Sequence, residues 1–254
     1  MFGLDPWQFW AIIAITGFAG FVKGAVGFAM PMIMMSAFSS ILPAQTALAC
    51  LIMPTLFTNI QQAFRFGRAE VVSSIRSYRW HIAMVLIFIC VSAGFAAAIP
   101  QGWMYLMLGV PIVAFAVWQL SGRPILLDMH HRRRAEIVTG IIGGLYGGIS
   151  GIWGPPLIVY LLSTGASKSE QMRVQGIVFL LGAIMLLVAH LFSGILNAQT
   201  LPLSLILCIP AFLGMQLGFA LHDRMDVVQF RRWTLILLVI TGLNLVRRAF
   251  SIGF

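Results

Sequence analysis

Three kinds of residue in this sequence are placed to do chemistry on a charged ligand. The first is Lys23, near the centre of the apolar run GFAGFVKGAVGFAMP and seventeen residues after Pro6. An ionisable side chain at such depth costs ~2.5–3.5 kcal/mol or more and marks a functional site by default. All seven carboxylates (Asp5, Glu70, Asp128, Glu136, Glu170, Asp223 and Asp226) fall in loops or at segment edges. A bound anion, or the carbonyl end of a broken helix, is then the natural counter-charge for the lysine. The second is Trp153, mid-segment in GIIGGLYGGISGIWGPP, where six other tryptophans lie near segment ends. The third is a set of polar groups at the ends of neighbouring apolar segments: Asn59 with Gln61 and Gln62, and Arg173 with Gln175. Arg173 reads equally well as an ordinary arginine at the cytoplasmic end of a span.

Other reactive residue types have plainer readings. Cys50, Cys90 and Cys208 lie in apolar segments without CxxC spacing and read as small buried hydrophobes. His81 and His190 read as packing groups near segment ends. His130 and His131, inside DMHHRRR, read as part of a solvated basic loop. No metal, cofactor or nucleic acid is expected. Ser167 and Glu170 form a capping box that opens a helix.

The elements that must position these groups are membrane helices. Of 254 residues 60% are hydrophobic and 9% charged, against roughly 25% charged in soluble domains. Mean hydropathy is +0.96. Runs at 44–64, 80–99, 103–121, 174–196, 201–221 and 233–246 each approach the ~20 residues needed to span a hydrocarbon core. They do not alternate as barrel strands do. The class is an all-α polytopic membrane protein. The start, MFGLDPWQFW, lacks a basic n-region and a small-residue cleavage site, so no cleavable signal is expected.

The glycines carry a repeat. Gly17, Gly20, Gly24 and Gly27 precede Gly144, Gly147, Gly151 and Gly154 by one offset of 127 residues. A proline break follows in each copy, at Pro31 and at Pro155-Pro156. The division expected is a repeat over 1–125 and a second over 126–254, joined by the basic linker RPILLDMHHRRR. Spacings of 3, 4 and 3 put the glycines on one helical face. Such stripes commonly let membrane helices pack closely. The prolines favour a second role, a helix broken at membrane depth, tolerated only where its backbone is buried in protein or lines a cavity. The offset sets Ser150 opposite Lys23, and the helix N-termini near Pro31 and Pro156 add N–H donors for an anion. The site expected on this reading comprises Lys23, Gly24, Gly27, Asn59, Ser150, Gly151, Trp153, Gly154, Pro155, Arg173 and Gln175.

The opening segment of each half is too long for one span and too short for two. A single tilted, broken helix gives eight spans. A hairpin of two half-helices gives three spans per half and makes the repeats inverted. Cytoplasmic loops carry the Lys and Arg excess. The split of these charges is ten to five for eight spans and thirteen to two for the hairpin, with only Arg247 and Arg248 outside. The hairpin arrangement is preferred, and both arrangements put the linker 123–134 in the cytoplasm.

A Gly-rich stretch ending in GxxGPP, a weaker N-terminal copy, and the turn from Lys168 to Arg173 resemble the TauE/SafE family of sulfite exporters. The resemblance covers essentially the whole chain. It implies a bacterial inner-membrane carrier moving sulfite, sulfoacetate or related anions, with membrane lipid around it; a homo-oligomer is compatible with it. Lys23 departs from the family's glycine-and-aliphatic pattern. The competing classes are a membrane-embedded subunit that does not transport and an enzyme. An enzyme wants a nucleophile and base or a metal cluster, and the sequence has no HExxH, HxxxxD or converging Cys/His set.

Overall fold

Apolar runs broken by glycine and proline fold into helices throughout the computed structural model, which describes residues 3–65, 67–123, 126–221 and 226–253. Asp223, Arg224, Pro124 and Ile125, and the side chains of Arg68 and Lys168, lie outside the described residues. The helices are α1 (Pro6–Val26), α2 (Met30–Phe38), α3 (Ala44–Phe64), α4 (Arg68–Ser77), α5 (Arg79–Ala96), α6 (Gln101–Leu120), α7 (Arg132–Ser150), α8 (Gly154–Ser163), α9 (Lys168–Phe192), α10 (Leu201–Ile206), α11 (Cys208–Leu221) and α12 (Val227–Ile252). Among the described residues, seven segments are long and apolar enough to cross a membrane: α1, α3, α5, α6, α9, α10 with α11, and α12. The protein is a multi-pass membrane protein.

The helices form two compact units, each drawing on both halves of the sequence. The first holds Met1–Pro54, Ala97–Arg123 and Ile195–Phe254. In it α1 runs parallel to α11, because Gly20 lies on the backbone of Ala211 and Gly24 on that of Met215. A Cβ on either glycine would come within 2.2 Å of a carbonyl oxygen. Only glycine allows this approach, which gains dispersion contacts where lipid offers no hydrophobic drive. α6 runs antiparallel to α12. Gln119 near the end of α6 accepts from Arg231 near the start of α12 at 2.8 Å. Gly109 meets Gly242 midway, and Arg248 stacks over Tyr105 at the far end. α2 returns beside the start of α1, where Gln8 Nε2 donates to the Ile41 carbonyl at 3.2 Å. Thr241 donates to Ser36, Asn244 donates to Ser40, and Arg248 donates to the carbonyl of Ser39, so α12 holds α2 along its length.

Pro54 sits inside α3 and cannot donate to the Cys50 carbonyl four residues earlier. Ser204 of α10 makes up the loss. Its hydroxyl donates to Cys50 O at 3.1 Å and accepts the Met53 N–H at 3.2 Å.

The second unit holds Thr55–Ala96 and Pro124–Gly194. Here α7 runs parallel to α5: Gly140 lies on His81 and Met84, Gly144 on Val85 and Phe88, Gly148 on Ile89 and Ser92. The C-terminal part of α3 runs antiparallel to α9, with Asn59 beside Phe179 and Gln62 beside Gly176. α8 returns to the start of α7, where Arg132 Nε donates to Tyr160 Oη at 3.4 Å and the Leu127 N–H donates to Ser163 Oγ at 2.9 Å. The opening helix of each half thus packs on the penultimate span of the other, α1 on α11 and α7 on α5.

Three sequence expectations change in detail. The glycines matched by the 127-residue offset do not share one face in the second copy. Gly144 faces α5, Gly147 faces Trp153, Gly151 ends α7 and Gly154 opens α8. The prolines do not break the helix either. The chain breaks at Gly151–Trp153, and Pro155 and Pro156 occupy the first turn of α8, where a missing N–H costs nothing. Glu136 is 5% exposed inside α7, so that carboxylate is buried by packing that its position at a segment edge does not reveal.

Candidate functional site

The break between α7 and α8 is built from small local steps. Gly151 takes a left-handed conformation at φ 71, and its N–H closes on the Gly147 carbonyl at 2.7 Å. Ser150 Oγ donates to the Tyr146 carbonyl at 2.6 Å and accepts the Ile152 N–H at 3.0 Å. Its hydroxyl is thereby committed to holding the turn. The chain then folds back along α7, so that Trp153 packs on Gly143 and Gly147. α8 starts there and runs 10 residues, about 15 Å at ~1.5 Å per residue, to the level of Arg132. Its N-terminus therefore lies partway along α7.

Trp153 is 2% exposed. Its ring is held between Gly147 of α7 and Gly182 of α9, where a Cβ on Gly182 would come within 2.6 Å of it. Phe179 meets it edge-on, centroids 6.2 Å apart at 85°. Its indole Nε1 is buried without a hydrogen-bond partner, a costly state for a polar group. Asn59 donates to the Phe179 carbonyl at 2.9 Å. Trp153, Phe179, Gly154 and Asn59 are thus brought together.

An α-helix leaves its first N–H groups free for a ligand. At α8 two of these positions are proline, leaving those of Trp153 and Gly154. The donor set of this break is small: two backbone N–H groups and the Trp153 indole.

Lys23, Gly24 and Gly27 belong to the first unit. Lys23 is buried at 2% exposure, one turn before the C-cap of α1, and its carbonyl accepts the Gly27 N–H at 2.7 Å. Gly27 has φ 88 and Ala29 has φ 78. Ala29 is the positive-φ residue other than glycine among those described, a conformation costing ~1–2 kcal/mol. Between them Phe28 lies under the Arg231 guanidinium, 5.5 Å from the ring centroid. Gly24 faces the backbone of α11 and serves packing there.

Arg173 forms an ion pair with Glu70 of α4. Nearby, the Tyr78 hydroxyl donates to Glu170 at 2.7 Å; burial, and then this bond, push it above the ordinary tyrosine range. Gln175 is buried in α9 at 6% exposure. Ser167 accepts the Glu170 N–H at 3.3 Å and caps α9. No group of three or more His, Cys, Asp or Glu that could hold a metal ion occurs among the described residues. Sequence reasoning missed Phe179, Gly182 and Glu70. None carries a local signal, because each matters through a partner far along the chain.

The family model described as Sulfite exporter TauE/SafE matches residues 12–245. No curated protein and no solved structure matches the chain.

Proposed function

The chain belongs to the TauE/SafE sulfite exporter family, and we propose that it is a secondary carrier or facilitator for sulfite, sulfoacetate or a similar small anion across the bacterial inner membrane. The observation that carries this reading is the break at Gly151–Trp153. It combines a helix N-terminus partway along α7 with a buried, unpartnered indole N–H. Both are hydrogen-bond donors, as an anion requires, and carriers bind substrate at such discontinuous helices. Trp153 Nε1 and the Gly154 N–H take the anion's oxygens, while Gly151, Pro155 and Ser150 fix the break and Asn59 buttresses Phe179 beneath it. Within the first unit, Lys23 with Gly27 is assigned to anion binding on the charge and burial of the lysine, while Gly24 packs on α11. Within the second unit, Arg173 and Gln175 are assigned to the approach.

The two halves are proposed to be inverted repeats, 1–125 and 126–254. The antiparallel pairing of equivalent helices supports this, α6 with α12 and α3 with α9. Each opening segment is a hairpin returning to its own side, which leaves three crossings per half and agrees with the thirteen-to-two charge split. An inside-negative potential drives each negative charge outward with ~2.3 kcal/mol per 100 mV, so export needs no coupling ion and is the favoured direction.

Thermal stability of the purified protein against sulfite, sulfoacetate, other sulfonates and carboxylates tests the substrate class. A ligand of the folded state stabilises as RT ln(1 + [L]/Kd). A rise with sulfur oxyanions and sulfonates supports the assignment, and a rise with carboxylates alone overturns it.

A further inference from the structure

Two histidines are buried in the second unit, and they differ at one atom. His190 is satisfied on both ring nitrogens: Nε2 donates to the Gly148 carbonyl at 2.8 Å, and Nδ1 meets Ser193 Oγ at 3.0 Å. His81 is satisfied on one. Its Nδ1 lies 3.1 Å from Thr139 Oγ1. That hydroxyl donates its hydrogen to the Ala135 carbonyl at 2.7 Å, so it accepts from the ring and Nδ1 carries the proton. The lone pair of His81 therefore sits on Nε2, which is fully buried and has no partner. A buried carboxylate is bonded to the same residue's main chain: Glu136 Oε1 accepts the His81 backbone N–H at 3.3 Å. The imidazole is stacked on Tyr160, centroids 5.9 Å apart at 14°.

We propose that His81 Nε2 is a reversible proton-binding site with the Glu136 carboxylate as its counter-charge. The Nε2 lone pair takes a proton from water, and the ring becomes an imidazolium. A buried carboxylate favours that step, because an opposite charge nearby stabilises the cation. The stacked Tyr160 favours it too, since its ring face attracts a cation. Tyr160 belongs to α8 and accepts from Arg132 at the base of the α7–α8 hairpin, so protonation tightens the hold of α5 on the hairpin that carries Trp153.

The other charged and titratable groups around His81 are already engaged. From α9, Glu170 accepts from Tyr78, which adjoins α5. Also from α9, Arg173 is paired with Glu70 of α4. Arg132 of α7 bonds to Tyr160 of α8, and Arg133 of α7 lies over Trp80 of α5. The proton site rests on this geometry alone. Its link to anion movement rests on the carrier reading.

The test is nitrogen NMR of the full chain labelled with 15N-histidine, across the pH range in which it stays folded. His81→Gln assigns the signal. The expected result is a one-proton step in which Nε2 changes from bare to protonated, and Glu136→Gln moves that step to lower pH by about a unit, a tenfold loss of proton affinity. An Nε2 that stays bare throughout, or a step that Glu136→Gln leaves in place, overturns the site. In proteoliposomes, His81→Gln is expected to flatten the pH dependence of anion exchange. An unchanged pH profile overturns the coupling while leaving the proton site. Absence of exchange in the parent protein, with the His81 step intact, counts against the carrier reading alone.

Discussion

Arg132 Nε donates to Tyr160 Oη across 3.4 Å, so the first residue of α7 and the seventh of α8 lie side by side. Gln8 closes the first hairpin in the same way on the Ile41 carbonyl. A segment that ends where it began makes no net crossing. On the proposed three crossings per half, the 123–134 linker would be cytoplasmic and the C-terminus outside. A C-terminal reporter active only outside the cytoplasm should therefore be active. Activity of a cytoplasm-only reporter would restore eight spans.

The glycine stripes hold helices together before they do anything else. Gly20→Ala puts a Cβ 2.2 Å from the Ala211 carbonyl oxygen, and α1 and α11 must separate. Overpacking of this kind costs about 1–3 kcal/mol or more, read as a lower unfolding temperature in detergent. Gly94→Ala has open space and serves as the control, neutral or stabilising by up to ~1 kcal/mol through helix propensity. Equal losses in both variants would remove the packing argument.

Ser204→Ala leaves the Cys50 carbonyl and the Met53 N–H beside Pro54 without their partner. Unsatisfied buried groups cost about 1–3 kcal/mol each. Thermal unfolding should show a loss in that range, and Ser204→Cys, a weaker donor, should fall between. A silent Ser204→Ala would mean that water or another group patches the proline.

Much of this was legible in the sequence, and the limits are physical. Apolar run length fixes spans, because lipid forces every backbone group into helices, so 44–64 is recovered as α3 and 201–221 as α10 with α11. The offset of 127 finds both broken segments. It cannot say which glycine meets which helix, since that depends on pairings such as Gly20 with Ala211, set by tertiary packing. Pro155 and Pro156 read as breakers because proline ends helices as readily as it starts them; the left-handed Gly151, four residues before Pro155, decides the matter. Lys23 and Trp153 stand out by type and depth. The indole environment of Trp153 and the bare Nε2 of His81 do not, because each is defined by neighbours from other helices.

Two substitutions probe the donors directly. Trp153→Phe keeps a ring between Gly147 and Gly182 and removes Nε1. Lys23→Met keeps the side-chain length and removes the charge. Each should weaken binding of the best anion by roughly 1.5–3 kcal/mol, ten- to a hundredfold in Kd, with insertion and expression unchanged. Lys23→Arg should retain part of the affinity, as charge survives while geometry changes. Equilibrium binding to purified protein decides, and undiminished affinity removes that residue from the site.

Counterflow in proteoliposomes tests the central claim most directly. Vesicles loaded with unlabelled sulfite or sulfoacetate and diluted into a trace of the labelled anion should accumulate label transiently above equilibrium. Trp153→Phe should lower that overshoot. A carrier exchanges substrate across the membrane; a non-transporting subunit or an enzyme does not. Label uptake no faster than in protein-free vesicles, for every sulfur oxyanion and sulfonate in a protein that remains folded, would contradict the account.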